Sequence, residues 1–350
     1  MFFASPSVDA ADWKTPMQLT SSWSPIYFVQ GDNPTIYLQQ TNRLPETPFT
    51  PPGNVDDQAT FYQCSLNDRQ VTKFPLESQV TTFAVCPVSS VRAYIDGNRS
   101  IQWFNGTKKR IIPIEKGTYP NQPYLSPDGN CLSILIYAPS DEHSRSLWIY
   151  QFDREKPIRV NLSKKMPRFT PYWFNENTLL GWSRGSVFLL KINIDFSRVE
   201  KQIVRKTPAE EIIMVLALED RLVVGLAAEK AKSFRTLVLN TDGQILKELP
   251  NTWLCDDGLA LDRYCCCIQK NTGLLVLDVK MLSTRLFIPH NELASQTDED
   301  YNVLGYDPKN DSVYVSVEEP ASAVIAYRPD KAKQVILKAT PDRPYFTNSN

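Results

Sequence analysis

Apolar and polar positions alternate along this chain in short runs that break at turn residues, the pattern of β-strands joined by hairpins. One unit recurs: an apolar strand, a short polar turn, and a second strand of alternating character. Residues 59–65 lead through Leu66-Asn67-Asp68-Arg69 to 70–76. The same layout joins 100–104 to 109–114, 147–152 to 158–162, and 187–192 to 200–204. It recurs from 236–239 to 244–249, from 274–279 to 284–288, and from 323–328 to 333–337. Asn, Asp, Gly and Pro fill the turns. Gly, Asn and Asp tolerate positive φ and Pro presets a negative one, so hairpin connections favour them.

A second strand–turn signal precedes most of these pairs. It stands at Val85-Cys86-Pro87, Leu125-Ser126-Pro127-Asp128-Gly129, Phe174-Asn175-Glu176-Asn177, Leu218-Glu219-Asp220-Arg221, Leu261-Asp262-Arg263 and 305–310. Two hairpins per unit make a four-stranded sheet. The units recur every roughly 40–50 residues, the period of a propeller blade. A lone four-stranded sheet leaves one face or both uncovered, and stacking such sheets covers them. Runs apolar on both sides, such as Val187-Phe188-Leu189-Leu190, fit that burial. The expected fold class is therefore all-β, a β-propeller of about seven four-stranded blades in a single domain over 1–350. The blades span roughly 21–340. An ambiguous N-terminal region leaves six or eight blades as alternatives. Residues 15–20 are the candidate strand for a clasp between the termini. The stretch 42–57 carries Pro45, Pro48, Pro51 and Pro52, too many for a central strand, and reads as a loop. The tail 341–350 reads as flexible.

The segment Tyr124-Leu125-Ser126-Pro127-Asp128-Gly129 resembles the strand–turn signature of TolB-like and WD40-like propeller repeats, with Gly305-Tyr306-Asp307-Pro308-Lys309-Asn310 a looser copy. The Trp-Asp dipeptide of WD40 repeats is absent. The resemblance implies a protein-binding platform more often than an enzyme, although propellers host both.

Composition narrows the function classes. Lys plus Arg number 38 against 39 Asp plus Glu, a net charge of −1, which argues against a dedicated nucleic-acid binder. The longest apolar runs are strand-sized, far below the about 20 residues of a membrane-spanning helix. The first residues lack the basic start and apolar core of a signal peptide. Seven cysteines, three of them consecutive (Cys265, Cys266, Cys267), make a poor disulfide framework and read as small buried side chains. This usage points to a reducing, cytoplasmic compartment; an extracytoplasmic one requires that a leader was removed.

Candidate chemistry is sparse. Gly181-Trp182-Ser183-Arg184-Gly185 fits the nucleophile-elbow pattern, but that chemistry needs a strand, a sharp turn and then a helix. The residues after Gly185 are β-branched and aromatic, so a hairpin is expected. His143, in the polar connector 140–145, and His290 read as surface residues. Acidic groups at Asp256-Asp257 and Asp298-Glu299-Asp300 offer oxygen ligands for calcium but lack EF-hand spacing. Basic groups stand at Lys108-Lys109-Arg110, at Lys164-Lys165 with Arg168, and at Arg205-Lys206. Aromatics gather at Tyr172-Trp173-Phe174 with Trp182, and at Trp103-Phe104. Asn-x-Ser/Thr triplets begin at Asn98, Asn105, Asn161 and Asn310. The leading expectation is a non-catalytic scaffold that binds another protein on one face, with no cofactor. Its candidate contact residues are Tyr172, Trp173, Trp182, Lys108, Lys109 and Arg110. The alternatives are a calcium-assisted hydrolase or lactonase, and a propeller that binds carbohydrate or a small ligand.

Overall fold

The structure is a computed structural model that describes residues 17–20, 24–29, 33–42, 58–74, 80–86, 91–96, 100–138, 141–162, 172–183, 185–192, 198–228, 233–255, 263–293, 301–317, 322–329 and 331–340. After β1 (Met17–Thr20) comes a sheet of β2 (Ser24–Val29), β3 (Thr35–Asn42), β4 (Gln58–Ser65) and β5 (Gln70–Lys73). The second sheet is β6 (Val80–Val85), β7 (Arg92–Asp96), β8 (Ser100–Asn105) and β9 (Lys108–Pro113). The third is β10 (Tyr119–Leu125), β11 (Cys131–Ala138), β12 (Asp141–Gln151) and β13 (Ile158–Leu162). The fourth is β14 (Tyr172–Asn175), β15 (Thr178–Ser183), β16 (Ser186–Ile192) and β17 (Val199–Lys206). The fifth is β18 (Glu211–Leu218), β19 (Arg221–Ala228), β20 (Ser233–Asn240) and β21 (Ile245–Pro250). The sixth is β22 (Thr252–Leu254), β23 (Tyr264–Gln269), β24 (Gly273–Asp278) and β25 (Ser283–Pro289), followed by the one-turn helix α1 (His290–Leu293). The seventh is β26 (Tyr301–Asp307), β27 (Ser312–Val317), β28 (Ala323–Arg328) and β29 (Lys331–Thr340).

This is a seven-bladed β-propeller, each blade four strands taken in sequence order. The seven hairpins read first from the sequence are the third and fourth strands of the seven sheets. The expected terminal clasp is β1, which lies parallel on β29 in the register Met17↔Leu337 to Thr20↔Thr340. Two local readings need correction. Residues 140–145 read as a connector, yet β12 starts at Asp141, because Ala138 pairs with Asp141 and Tyr137 with Arg145. The first hairpin of the first sheet, β2 with β3, gave no clear signal, because Pro25 interrupts its alternation and the register shifts between Pro25 and Tyr27. Residues 43–57, 256–262, 294–300 and 341–350 lie outside the described residues, and with them most of the proline-rich stretch, both acidic groups and the tail.

The chain divides into two compact units. One holds 1–75, 255–278 and 283–350, and the other holds 76–254 and 279–282. In the second unit each sheet is apolar on both faces. On β16, Val187 and Leu189 join a core with Val215, Leu222 and Leu237. The residues between them, Phe188 and Leu190, join a different core with Leu135 and Leu147. Successive strand residues point to opposite faces, so a continuous apolar run seats one strand in two cores at once. Fully burying each such side chain contributes about 1.5–3 kcal/mol. In the first unit, Phe28, Leu38 and Cys64 pack with Tyr314 and Leu337, while Cys266, Val276 and Ile288 pack with Val303 and Val315.

The Ser126–Asn130 turn shows why its sequence is what it is. The Ser126 hydroxyl donates to Asp128 and accepts the Cys131 amide at 2.8 Å. Asp128 also accepts the Asn130 amide at 3.0 Å. Gly129 has φ +73°, and a Cβ there would lie 2.7 Å from the Val91 side chain.

Candidate functional site

Lys108, Lys109 and Arg110 begin β9, directly after a two-residue loop closed by Asn105 and Lys108. Gly106 takes φ +59° at the first loop position. Glycine there fits a type II′ turn, whose twist suits a hairpin. Alternation along β9 then divides the three cations. Lys109 stands opposite Phe104, which stands opposite Arg92. Both cations approach that ring, at 5.3 and 4.7 Å from its centroid. Arg110 points the other way. Its guanidinium donates to the carbonyl oxygens of Gln151, Phe152 and Glu155 in the β12–β13 turn of the next sheet. Burial lowers its pKa, opposed by the charges of Tyr150, Asp153 and Glu155. Lys108 and Lys109 are exposed, Lys109 beside Phe104, and Arg110 is a tie between sheets. Beside it runs an open groove of about 280 Å³, lined by Arg110–Pro113 and Phe152–Glu155. Ile111 on its rim is 57% exposed.

On β14 and β15, Tyr172 and Trp182 share one face of the sheet and Trp173 packs on the core of the other face. Tyr172 and Trp182 stack with centroids 5.5 Å apart and planes 6° apart. Tyr124 of β10 meets the Tyr172 ring edge-on at 5.2 Å. The Trp173 indole donates to the Tyr124 carbonyl at 3.0 Å. Trp182 is buried, and the other two are half-buried. Burial raises the Tyr124 pKa, helped by Tyr172 and Tyr137. The Tyr124–Tyr172 contact joins two sheets, and the Trp173 indole has the partner that a buried polar edge requires. A more exposed aromatic pair went unread in the sequence: Trp253 is 44% exposed and its ring lies 4.6 Å from that of Phe234. Nothing in a lone Thr-Trp-Leu triplet announces exposure.

The Gly181–Gly185 motif is a hairpin, as expected. Ser183 ends β15 and pairs with Ser186 at the start of β16. The strand–turn–helix geometry that presents a nucleophile is not built there. His290 is exposed on α1, with its backbone amide bonded to Thr272. Asp256, Asp257, Asp298, Glu299, Asp300, Lys164, Lys165 and Arg168 fall outside the described residues. Among the described residues, no group of three or more His, Cys, Asp or Glu side chains is placed to hold a metal ion. The described cysteines form no disulfide, and all are buried but the half-buried Cys255. Among the described residues no helix is long and apolar enough to cross a membrane.

The tie made by Arg110 recurs. Arg205 on β17 donates to the Gly243 carbonyl at 3.0 Å, in the turn before β21. Lys247 on β21 donates to the Leu282 carbonyl, in the turn before β25. Arg285 on β25 forms a bidentate pair with Asp311, at 3.0 and 2.8 Å. A fourth-strand cation thus reaches a turn of the following sheet in four places. The readable signal was a basic residue in the last strand of successive repeats.

No family model matches the sequence, and neither does any curated protein. Solved structures do match. The chain is similar to the β-propeller domain of the Trilobed protease from Pyrococcus furiosus, described as having an open velcro topology, with TM-score 0.58 and 10% identity over 92% of this chain and 100% of that one. It is similar to the acylaminoacyl peptidase of Pyrococcus horikoshii, with TM-score 0.57 and 10% identity over 89% of this chain and 52% of that one. It is also similar to a prolyl endopeptidase, with TM-score 0.52 and 12% identity over 89% of this chain and 46% of that one. The chain therefore spans about half the length of the peptidases it matches. At these identities the likeness is one of fold.

Proposed function

We propose that this chain is a non-catalytic propeller that binds another polypeptide. The observation that carries the reading is the match of 92% of this chain to the whole of a protease's propeller domain, and to about half of several peptidases. The warrant is fold analogy: the span that recurs in those proteins is the propeller, and polypeptide is what their names say they act on. The local chemistry supports it. Ser183 sits in a hairpin, Tyr172 stacks on Trp182, and Arg110 donates to carbonyls of the next sheet. Lys108 and Lys109 stand exposed beside Ile111, a basic and apolar edge suited to an acidic segment of a partner. The reading requires no cofactor.

The test uses fluorescein-labelled casein as an unfolded, acidic polypeptide. Anisotropy is expected to rise saturably with the chain's concentration, and mass spectrometry is expected to find the casein intact. Replacing both Lys108 and Lys109 by Glu is expected to weaken binding about tenfold at low salt, since each reversed rim charge changes the interaction by roughly 0.5–1 kcal/mol. Casein cleaved by the wild-type chain but not by Ser183→Ala would establish the enzyme reading instead.

A further inference from the structure

The strand β1 is four residues long and is held to β29 alone by strand pairing. Its first residue carries a specific side-chain anchor. The Met17 sulfur lies 3.6 Å from the Cys64 sulfur, and Met17 packs, half-buried, on the core of Cys64, Leu66 and Leu337 beside Tyr62 and Val71. A short strand contributes few backbone bonds, so the seating of this side chain weighs heavily in whether β1 stays docked.

The two sulfurs differ in reactivity. Cys64 is fully buried, and burial pushes its thiol up to about 12. The thiolate that reacts with oxidants is therefore scarce near neutral pH. A thioether needs no ionisation to react, and Met17 keeps a face toward solvent. We propose that Met17 is a site of oxidative modification, and that its conversion to the sulfoxide by a peroxide releases β1 from β29. A lone pair of the Met17 sulfur attacks one peroxide oxygen and the O–O bond breaks. The departing oxygen takes up a proton, so hydrogen peroxide leaves as water. The sulfur loses two electrons and gains one oxygen. The product is a polar group where an apolar one met the Cys64 core. Apart from the weakly donating Cys64 thiol, the core that Met17 packs on is apolar, so the oxygen turns to water and draws β1 off its partner.

Met281 supplies an internal control. It is 68% exposed in the turn before β25, and its oxidation touches no strand pairing of β1. The full chain is titrated with hydrogen peroxide. Peptide mass spectrometry scores each sulfoxide, and hydrogen exchange reads β29. In the wild-type chain and in Met281→Leu, the amides within residues 337–340 that pair with β1 are expected to lose protection in step with oxidation of Met17, while that of Ala339, bonded to the Ser322 carbonyl, is not. Methionine sulfoxide reductase is expected to restore it. Met17→Leu is expected to keep protection at doses that fully oxidise Met281. Sulfoxide at Met17 with unchanged protection at 337–340 overturns the proposal, and so does loss of protection on peroxide treatment of Met17→Leu. If the leucine variant seats β1 poorly even without peroxide, reversal by the reductase on the wild-type chain decides the matter: protection that stays lost after Met17 is reduced refutes it.

Discussion

The Arg205 guanidinium donates to the Gly243 carbonyl oxygen, 3.0 Å away, from the last strand of one sheet to a turn of the next. Gly243 is there because of its surroundings: at φ +85°, a Cβ would lie 2.0 Å from the Val204 carbonyl oxygen. The residue before the arginine thus closes on the glycine that the arginine holds.

Replacing Arg205 by Met keeps the aliphatic stem and removes the donor. The Gly243 carbonyl then loses a partner in a half-buried place, and stability is expected to fall by about 1–3 kcal/mol. Urea unfolding followed by tryptophan fluorescence measures it. Arg205→Lys is expected to recover part of the loss, because an ammonium reaches one carbonyl without the guanidinium's planar fork.

Two glycines with positive φ are expected to respond differently to alanine. Gly106 has φ +59° and nothing within 4 Å of a built Cβ, so its cost is backbone strain alone, about 1–2 kcal/mol. At Gly243 the strain comes with a clash against backbone that no side-chain rotation relieves. Gly243→Ala is expected to destabilise more than Gly106→Ala in the same denaturation assay. Equal losses would mean that the Gly243 turn moves easily away from Val204.

The indole bond from Trp173 to the Tyr124 carbonyl separates a structural role from a binding one. Trp173→Phe is expected to cost about 1 kcal/mol of stability for the lost bond and to leave casein anisotropy unchanged. Weakened binding at preserved fold would support Trp173 as a contact residue.

Alkaline pH is expected to erode stability through the buried thiols. Cys64 and Cys131 are both pushed up from the ordinary 9.0 to about 12, chiefly by burial, with Asp128 adding to the shift at Cys131. A raised folded-state value means that the unfolded chain ionises first. The stabilisation is complete below about pH 9 and is lost progressively as pH rises from there toward 12. Thermal melts across that range, comparing the wild-type chain with Cys64→Ala and Cys131→Ala, test it: each variant should show a shallower alkaline decline. Over the same range both thiols should alkylate more slowly than Cys255, which is only half-buried.

The sequence by itself determined the strands, because alternation and turn residues act locally and the repeat multiplies the signal. It determined that Gly181–Gly185 is a hairpin, because Ser186–Asn193 is rich in β-branched and aromatic residues and has neither a helical period nor a cap. It also marked residues 15–20 as the candidate clasp. It was silent on β2 because Pro25 breaks the alternation that marks a strand. Tertiary structure alone decided which charged and aromatic side chains are exposed. Lys109 and Arg110 are adjacent basic residues, yet a strand sends them to opposite faces. One is left beside Phe104, and the other is bound to three carbonyls more than forty residues away. Trp182 and Trp253 are the same residue type, and only the sheets around them bury one and expose the other. Such fates depend on what a neighbouring sheet brings to the same point in space, and the order of residues along one strand does not contain that information.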